Sequence, residues 1–460
     1  MDLVIANGKV VTDEKVFAAD VGVKNGKIAA IGKKLPAGKA EVIDARGKLV
    51  LPGGIDMHVH LNLFFCGTYS EDWDTSTAAA AAGGVTTVID YAIQTKGKTL
   101  QEAVESRIAD AKDKVAIDYG LHGGITDWND RTRDELRRYA RTGIPSFKMF
   151  MIYRSQGWMA DDGILFSALE ETRSTGALIM LHAESAFVLD LLTERYHTPE
   201  LMKTHGAWCH TLARPDFTEY EAIQRAATWA RVTGGRVYIV HMSTAEGARI
   251  VARAKADGVA IWAETCPQYL LLTDRVFKRP DGHLFGTCPQ VKKQEDSDGL
   301  LLGLKSGAVQ VLSTDTCTFD SKQKAMWEGD FTRIPFGMPG LETLLATMHT
   351  HLVGKHRFSL QELVALTSTN PARLFGLYPQ KGTIAVGSDA ELVMFDPARR
   401  VTIDHEKLVT RCDWSPFQGM KLTGYPHLTL SRGRVVARDG TFLGERGWGR
   451  FLKRKAGGVV

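Results

Sequence analysis

The chain has 460 residues, 44% of them hydrophobic and 24% charged, with 57 basic against 53 acidic side chains and a net charge of +4. That length suits a barrel of about 250–330 residues plus a second module, and the composition excludes a disordered chain. No apolar run reaches the ~18 residues of a membrane span, and the basic residues form no stripe with interleaved aromatics, so neither a membrane nor a nucleic acid is an expected partner.

The start, Met1 to Gly8, lacks a basic segment and reaches a turn within eight residues. It does not read as a signal peptide, and the cytoplasm is the expected compartment. Six cysteines without a CxxC pair read as free thiols. Residues 1–50 read as short strands joined by turns, with Asn7-Gly8 and Asn25-Gly26 as hairpin signals between alternating apolar runs. From about 51 to 375, apolar runs alternate with amphipathic helices. The strand-like runs are Gly54–His60, Val85–Tyr91, Ala116–Gly124, Ser146–Met151, Ala177–Ala183, Arg236–Met242, Val259–Cys266 and Val309–Thr314. Continuous apolar runs between helices imply parallel strands covered on both faces. Eight βα units imply a closed (β/α)8 barrel, an α/β TIM-like fold. A doubly wound open sheet would carry a glycine fingerprint after its first strand; Gly53-Gly54 precedes that strand.

Residues 380–440 return to short strands: Ile384 to Val386, Glu391 to Phe395 and Arg434 to Ala437, with turns at Gly387-Ser388-Asp389 and Asp439-Gly440. The two chain ends are therefore expected to meet in one small β-sandwich. This divides the chain into 1–51 (sandwich, N-terminal part), 52–376 (barrel) and 377–460 (sandwich, C-terminal part, and a tail). The basic run Arg450 to Lys455 reads as a solvated tail. His349, His351 and His356 read as solvated too, and Ala78 to Ala82 as a helix packing the barrel exterior.

The groups able to bind metal gather at strand ends. His58 and His60 close the first run, Lys148 lies in the fourth, His182 closes the fifth, His241 the sixth, and Asp315 follows the eighth. The carboxyl ends of barrel strands are where such folds place their sites. Side chains two apart on a strand face one way, so His58 and His60 both point into the barrel mouth and can share a divalent cation. A lone HxH is weak; one closing the first strand with His182, His241 and Asp315 downstream is strong. His122 ends the third run and reads as a packing residue.

The segments Pro52 to His60, Ser146 to Met151, His182-Ala183-Glu184, Ile239 to Ser243, Glu264 to Leu270, Thr314-Asp315 and Asn370 to Gly376 resemble the dihydropyrimidinase/hydantoinase family of the amidohydrolase superfamily, nearly end to end. The resemblance implies a cyclic amidohydrolase with two divalent metal ions per subunit, zinc being expected. His58 and His60 would bind the more buried ion, His182 and His241 the second. Lys148 would be an N6-carboxylysine bridging both. Asp315 would bind the first ion and shuttle the proton, and Tyr153 would stabilise the oxyanion. The implied partner is a small cyclic ureide or imide, with a hydantoin or dihydropyrimidine ring opened to an N-carbamoyl amino acid, and the implied assembly a homotetramer. A related hydrolase acting on allantoin or a cyclic imide, and a non-catalytic scaffold relative, stand as alternatives.

Three positions depart from that family. It carries a serine and an asparagine at the ring-binding positions held here by Cys288 and Phe336, and a histidine where this chain has Thr316. Phe336 makes that pocket edge bulkier and less polar, while Cys288 has no activating base that would make it a nucleophile. The segments Leu61 to Tyr69 and Tyr153 to Met159 are the expected specificity loops, with Leu63, Phe64, Phe65 and Trp158 as an apolar gate for a hydrophobic ring substituent.

Overall fold

The structure is a computed structural model that describes residues 1–458. Eight parallel strands pair in chain order: β1 (Gly54–Val59), β2 (Val85–Ile93), β3 (Asp118–Gly124), β4 (Ser146–Phe150), β5 (Leu178–His182), β6 (Val237–Ile239), β7 (Ile261–Thr265) and β8 (Val311–Leu312). All their residues except Ile93 are buried. That is the burial which continuous apolar runs demand of strands covered on both faces. The circle closes between β1 and β8 through a bridge from Val59 to Thr316 and a 2.7 Å bond from the His60 N–H to the Thr316 carbonyl. Buried Asp56 adds a third tie, accepting the Thr314 hydroxyl at 2.6 Å. β6 and β8 are shorter than the apolar runs suggest. Just past their ends the backbone turns left-handed, at His241 (φ 37°) and Asp315 (φ 52°), and leaves the ladder.

Both ends of the chain join one nine-stranded sheet. Leu3–Val11 pairs with Val16–Lys24, Glu41–Asp44 and Leu49–Pro52; the last of these pairs antiparallel with Leu392–Thr402, which leads on to Lys421–Ser431, Arg434–Arg438 and Thr441–Phe442. Its own core includes Ile5, Val10, Val21, Val50, Leu392, Met394 and Leu430. The helix Trp73–Ala82, buried except at Asp74, lies between this sheet and the barrel, where its alanines leave room for both. Lys381, 1% exposed, fastens the two units. Its ammonium is 2.9 Å from Asp118 at the start of β3 and 2.8 Å from Glu391 beside the sheet.

Four local expectations need correction. Asn25-Gly26 is a hairpin turn with both φ positive, but Asn7-Gly8 lies inside Leu3–Val11, where the pairing slips between Ile5 and Gly8. This is a β-bulge: the Asn7 N–H turns to Asp20 at 2.8 Å, and a Cβ on Gly8 would stand 2.5 Å from Val50 Cγ2. Ile384 to Val386 forms no strand; Ile384 instead fills the core of the chain-end sheet. The basic run at Arg450 to Lys455 exposes Arg450, Lys453 and Lys455 as a solvated tail would, but it is bound to the barrel. Leu452 donates to the Tyr119 carbonyl, and Arg454, 2% exposed, donates to the Phe375 carbonyl at 3.2 Å and to Ser146 Oγ at 3.0 Å, closing the amino ends of β3 and β4. Among the three helix-region histidines only His356 is exposed; His349 is buried against the Thr423 carbonyl at 2.8 Å.

Candidate metal centre and active site

Strand geometry brings the suspected ligands to one mouth. His58 Nε2 lies 3.2 Å from Asp315 Oδ1, and His60 Nε2 lies 3.4 Å from the same oxygen. Their ring centroids are 5.1 Å apart. The His241 ring stands 5.2 Å from His58 and 4.5 Å from His182. The Lys148 ammonium reaches the same space from β4, held 5.2 Å from the Tyr91 ring centroid and 5.5 Å from that of Phe150.

The donor set fits divalent cations. His58 Nε2, His60 Nδ1 and His241 Nδ1 are buried without hydrogen-bond partners, an arrangement that costs free energy unless something else takes the lone pair. One ligand atom each from His58, His60 and Asp315 falls within 4.8 Å of the others. Burial pulls the His58, His182 and His241 imidazoles below their usual range, toward the neutral form that binds metal. Burial also pushes the Lys148 ammonium down, against the charges of Asp315 and Glu264. Tyr153 (φ 67°) is left-handed like His241 and Asp315, so three of the residues singled out from the sequence occupy a backbone region that non-glycine residues seldom adopt.

A cavity of about 520 Å³, counting its open mouth, lies above this centre. His60, Lys148, His182, His241 and Asp315 form its floor; Leu63, Phe65, Tyr153, Trp158, Cys288 and Phe336 are among its walls. Tyr153 stands edge to face with Phe65, Phe150 and Trp158 at 6.0, 5.7 and 5.8 Å, while Trp158 is tilted against Phe150 at 5.3 Å and against Phe65 at 5.9 Å. Phe64 is the exception among the expected gate residues. It sits beside Phe65 on a two-residue strand, so the two side chains point opposite ways, and Phe64 is 58% exposed against Tyr69 outside the cavity. Burial pushes the Cys288 thiol up to about 12, against the Arg214 charge and a hydrogen bond from Tyr153, which leaves it a poor nucleophile. Phe336 is stacked on His210 at 4.8 Å.

The sequence profile of the amidohydrolase family matches residues 49–436, which span the barrel and every residue of its floor. The chain belongs to the amidohydrolase family. Members of this family are binuclear metal-dependent enzymes, in keeping with the donor set. Residues 1–53 also match the profile of the urease alpha-subunit N-terminal domain. A D-hydantoinase of Geobacillus stearothermophilus is 41% identical, with 100% of this chain and 98% of the relative covered. A dihydropyrimidinase of Rattus norvegicus is 37% identical, covering 98% and 89% respectively. The crystal structure of a dihydropyrimidinase from Brevibacillus agri NCHU1002 superposes with a TM-score of 0.97 at 40% identity, covering 100% of both chains. The resemblance read from the motifs is borne out.

Family membership leaves several partners at the metal centre without a role drawn from the sequence. Glu264 holds His58 Nδ1 and accepts the Tyr238 hydroxyl at 3.0 Å and the His241 N–H at 3.1 Å. Glu184 lies 2.6 Å from His182 Nε2 and is held by Arg214. The His-Ala-Glu spacing could have signalled Glu184, since residues two apart can share a face; nothing local marks Glu264 or Arg214. His122, read as a packing residue, bonds to Ser146 Oγ at 2.6 Å and the Met57 carbonyl at 2.9 Å, away from the floor.

Proposed function

We propose that this chain opens the ring of a cyclic ureide, a hydantoin or dihydropyrimidine, to an N-carbamoyl amino acid. The observation that carries the reading is the convergence of four imidazoles, one buried lysine and one carboxylate at the base of one cavity in the barrel mouth. His58, His60 and Asp315 would hold one cation, His182 and His241 the second, and Lys148, carboxylated on Nζ, would bridge them. Carboxylation turns a cation into a two-oxygen anionic ligand, which an unmodified lysine cannot be. Two divalent ions held there, zinc being the proposed metal, would supply a water nucleophile of lowered pKa and polarise the ring carbonyl.

The remaining chemistry falls to side chains of the chain itself. The Asp315 carboxylate takes the proton of the attacking water and delivers it to the departing ring nitrogen, acting as base and then acid. The Tyr153 hydroxyl donates a hydrogen bond to the carbonyl oxygen as its charge grows. Leu63, Phe65 and Trp158 receive an apolar ring substituent, while Cys288 and Phe336 border the ring edge. The same reading places the enzyme in the cytoplasm as a homotetramer of barrels, each spanning 52–376, with chain-end units 1–51 and 377–460.

A panel of hydantoin, 5-phenylhydantoin, dihydrouracil, allantoin and succinimide, assayed against Asp315→Asn as blank, tests this. Turnover of hydantoins or dihydrouracil above the blank supports it. Turnover confined to allantoin or succinimide moves the assignment to a related ring hydrolase, and none on any ring, with metal bound, to a non-catalytic scaffold.

A further inference from the structure

Two of the four imidazoles are each gripped by a buried carboxylate, but the carboxylates are anchored in opposite ways. Glu264 orients His58 from Nδ1 and leaves Nε2 facing the centre without a partner; its own anchors, the Tyr238 hydroxyl and the His241 N–H, are neutral. Glu184, fully buried, lies 2.6 Å from His182 Nε2, so Nδ1 is the only ring nitrogen left to face the centre. Its anchor is a cation: Arg214 Nη1 donates to Oε1 at 2.8 Å and to Oε2 at 2.7 Å. A buried carboxylate without such a partner would be costly, and a hydrogen bond accepted from Nε2–H fixes both the tautomer and the tilt of the ring.

Arg214 comes from outside the barrel strands. It follows the helix Trp208–Ala213, and the residue after it is Pro215. Its guanidinium carbon lies 5.9 Å from the Phe336 ring centroid, and its side chain lines a neighbouring cavity together with Tyr153 and Phe336. One side chain thus backs the substrate wall and braces a suspected metal ligand.

We infer that Glu184 and Arg214 are positioning residues for the second cation, presenting His182 Nδ1 to it. The inference rests on the two-cation reading above. Bracing of this kind is typically worth 10- to 100-fold in metal affinity. Because His58 and His60 have no contact with this pair, the first cation should not feel its loss.

The test is metal retention, with Co2+ as probe. Parent, Glu184→Gln, Arg214→Gln and Arg214→Lys proteins are loaded with Co2+ and bicarbonate, and bound cobalt is measured against rising dipicolinate. The parent should hold two equivalents. In Glu184→Gln and Arg214→Gln one equivalent should leave at about 10- to 100-fold lower chelator, while the other leaves as in the parent. Arg214→Lys keeps the charge without the planar fork and should fall between, and it carries the test if Arg214→Gln does not fold. Unchanged retention of both ions, or equal weakening of both as a general loss of structure would give, overturns the inference while leaving the two-cation reading intact. A parent that holds fewer than two equivalents overturns both.

Discussion

His58 Nε2 and Asp315 Oδ1 stand 3.2 Å apart, although one closes the first barrel strand and the other follows the eighth. Barrel closure is what makes them neighbours, so the floor of the candidate site depends on the same β1–β8 seam that Asp56 and Thr314 tie together. Replacing Asp315 removes a proposed ligand and the proposed proton carrier at once. Asp315→Asn should lower kcat/KM on hydantoin by at least about 10²–10⁴-fold, the range attributed to a positioned acid–base group. Circular dichroism and the melting profile should stay close to the parent, since the side chain lies at the cavity floor and not in the packed core.

The gate residues make opposite predictions for two adjacent phenylalanines. Phe65 lines the cavity and Phe64 is turned out to solvent. Phe65→Ala and Trp158→Ala should each reduce kcat/KM for 5-phenylhydantoin relative to hydantoin by about 10- to 100-fold, in proportion to the apolar contact removed. Phe64→Ala should leave that ratio unchanged. Steady-state kinetics on the two substrates checks both.

The barrel and chain-end units share a buried ion cluster. Lys381, 1% exposed, lies 2.9 Å from Asp118, 2.8 Å from Glu391 and 3.5 Å from Asp389. Removing its charge strands the carboxylates, so Lys381→Met should destabilise the fold by about 3–5 kcal/mol. Denaturant unfolding should record this, while turnover per folded molecule on hydantoin stays near the parental value.

Glu342 gives a pH signature. Its buried carboxylate accepts the Val409 N–H at 2.8 Å and the Thr410 N–H at 3.1 Å, and burial pushes its pKa up to about 8. The folded state therefore keeps this proton to higher pH than the unfolded chain. Its stabilising effect is whole below the usual carboxyl range near 4.5 and is lost as pH rises through about 8. Glu342→Gln cannot ionise. The parent should lose melting temperature relative to this variant between pH 5 and pH 9, and a difference independent of pH would rule out the assignment. Differential scanning calorimetry across that range is the check.

The barrel was legible because its signal is local. Each strand run is apolar on both faces, and the structure buries both faces of all eight strands. The HxH pair was legible for the same reason, since alternation alone aims His58 and His60 alike. What escaped depended on distant contacts. The bulge at Asn7-Gly8 is set by Asp20 and Val50, and the burial of Arg454 by carbonyls at Leu121 and Phe375. Arg214 reaches Glu184 across 30 residues of chain, a pairing no motif announces. Phe64 and Phe65 show the limit within a motif: composition marked both for the gate, and the strand register of that short hairpin admits one.

The proposed chemistry depends on cations at the floor of the barrel. Anomalous diffraction from crystals of the protein grown with Zn2+ and bicarbonate tests it most directly. Two metal peaks about 3.5–4 Å apart are predicted, one beside His58, His60 and Asp315 and one beside His182 and His241, with density for a carboxyl group on Lys148 Nζ between them. A bare Lys148 directed away from the histidines, or a floor without anomalous scatterers under those conditions, would contradict it.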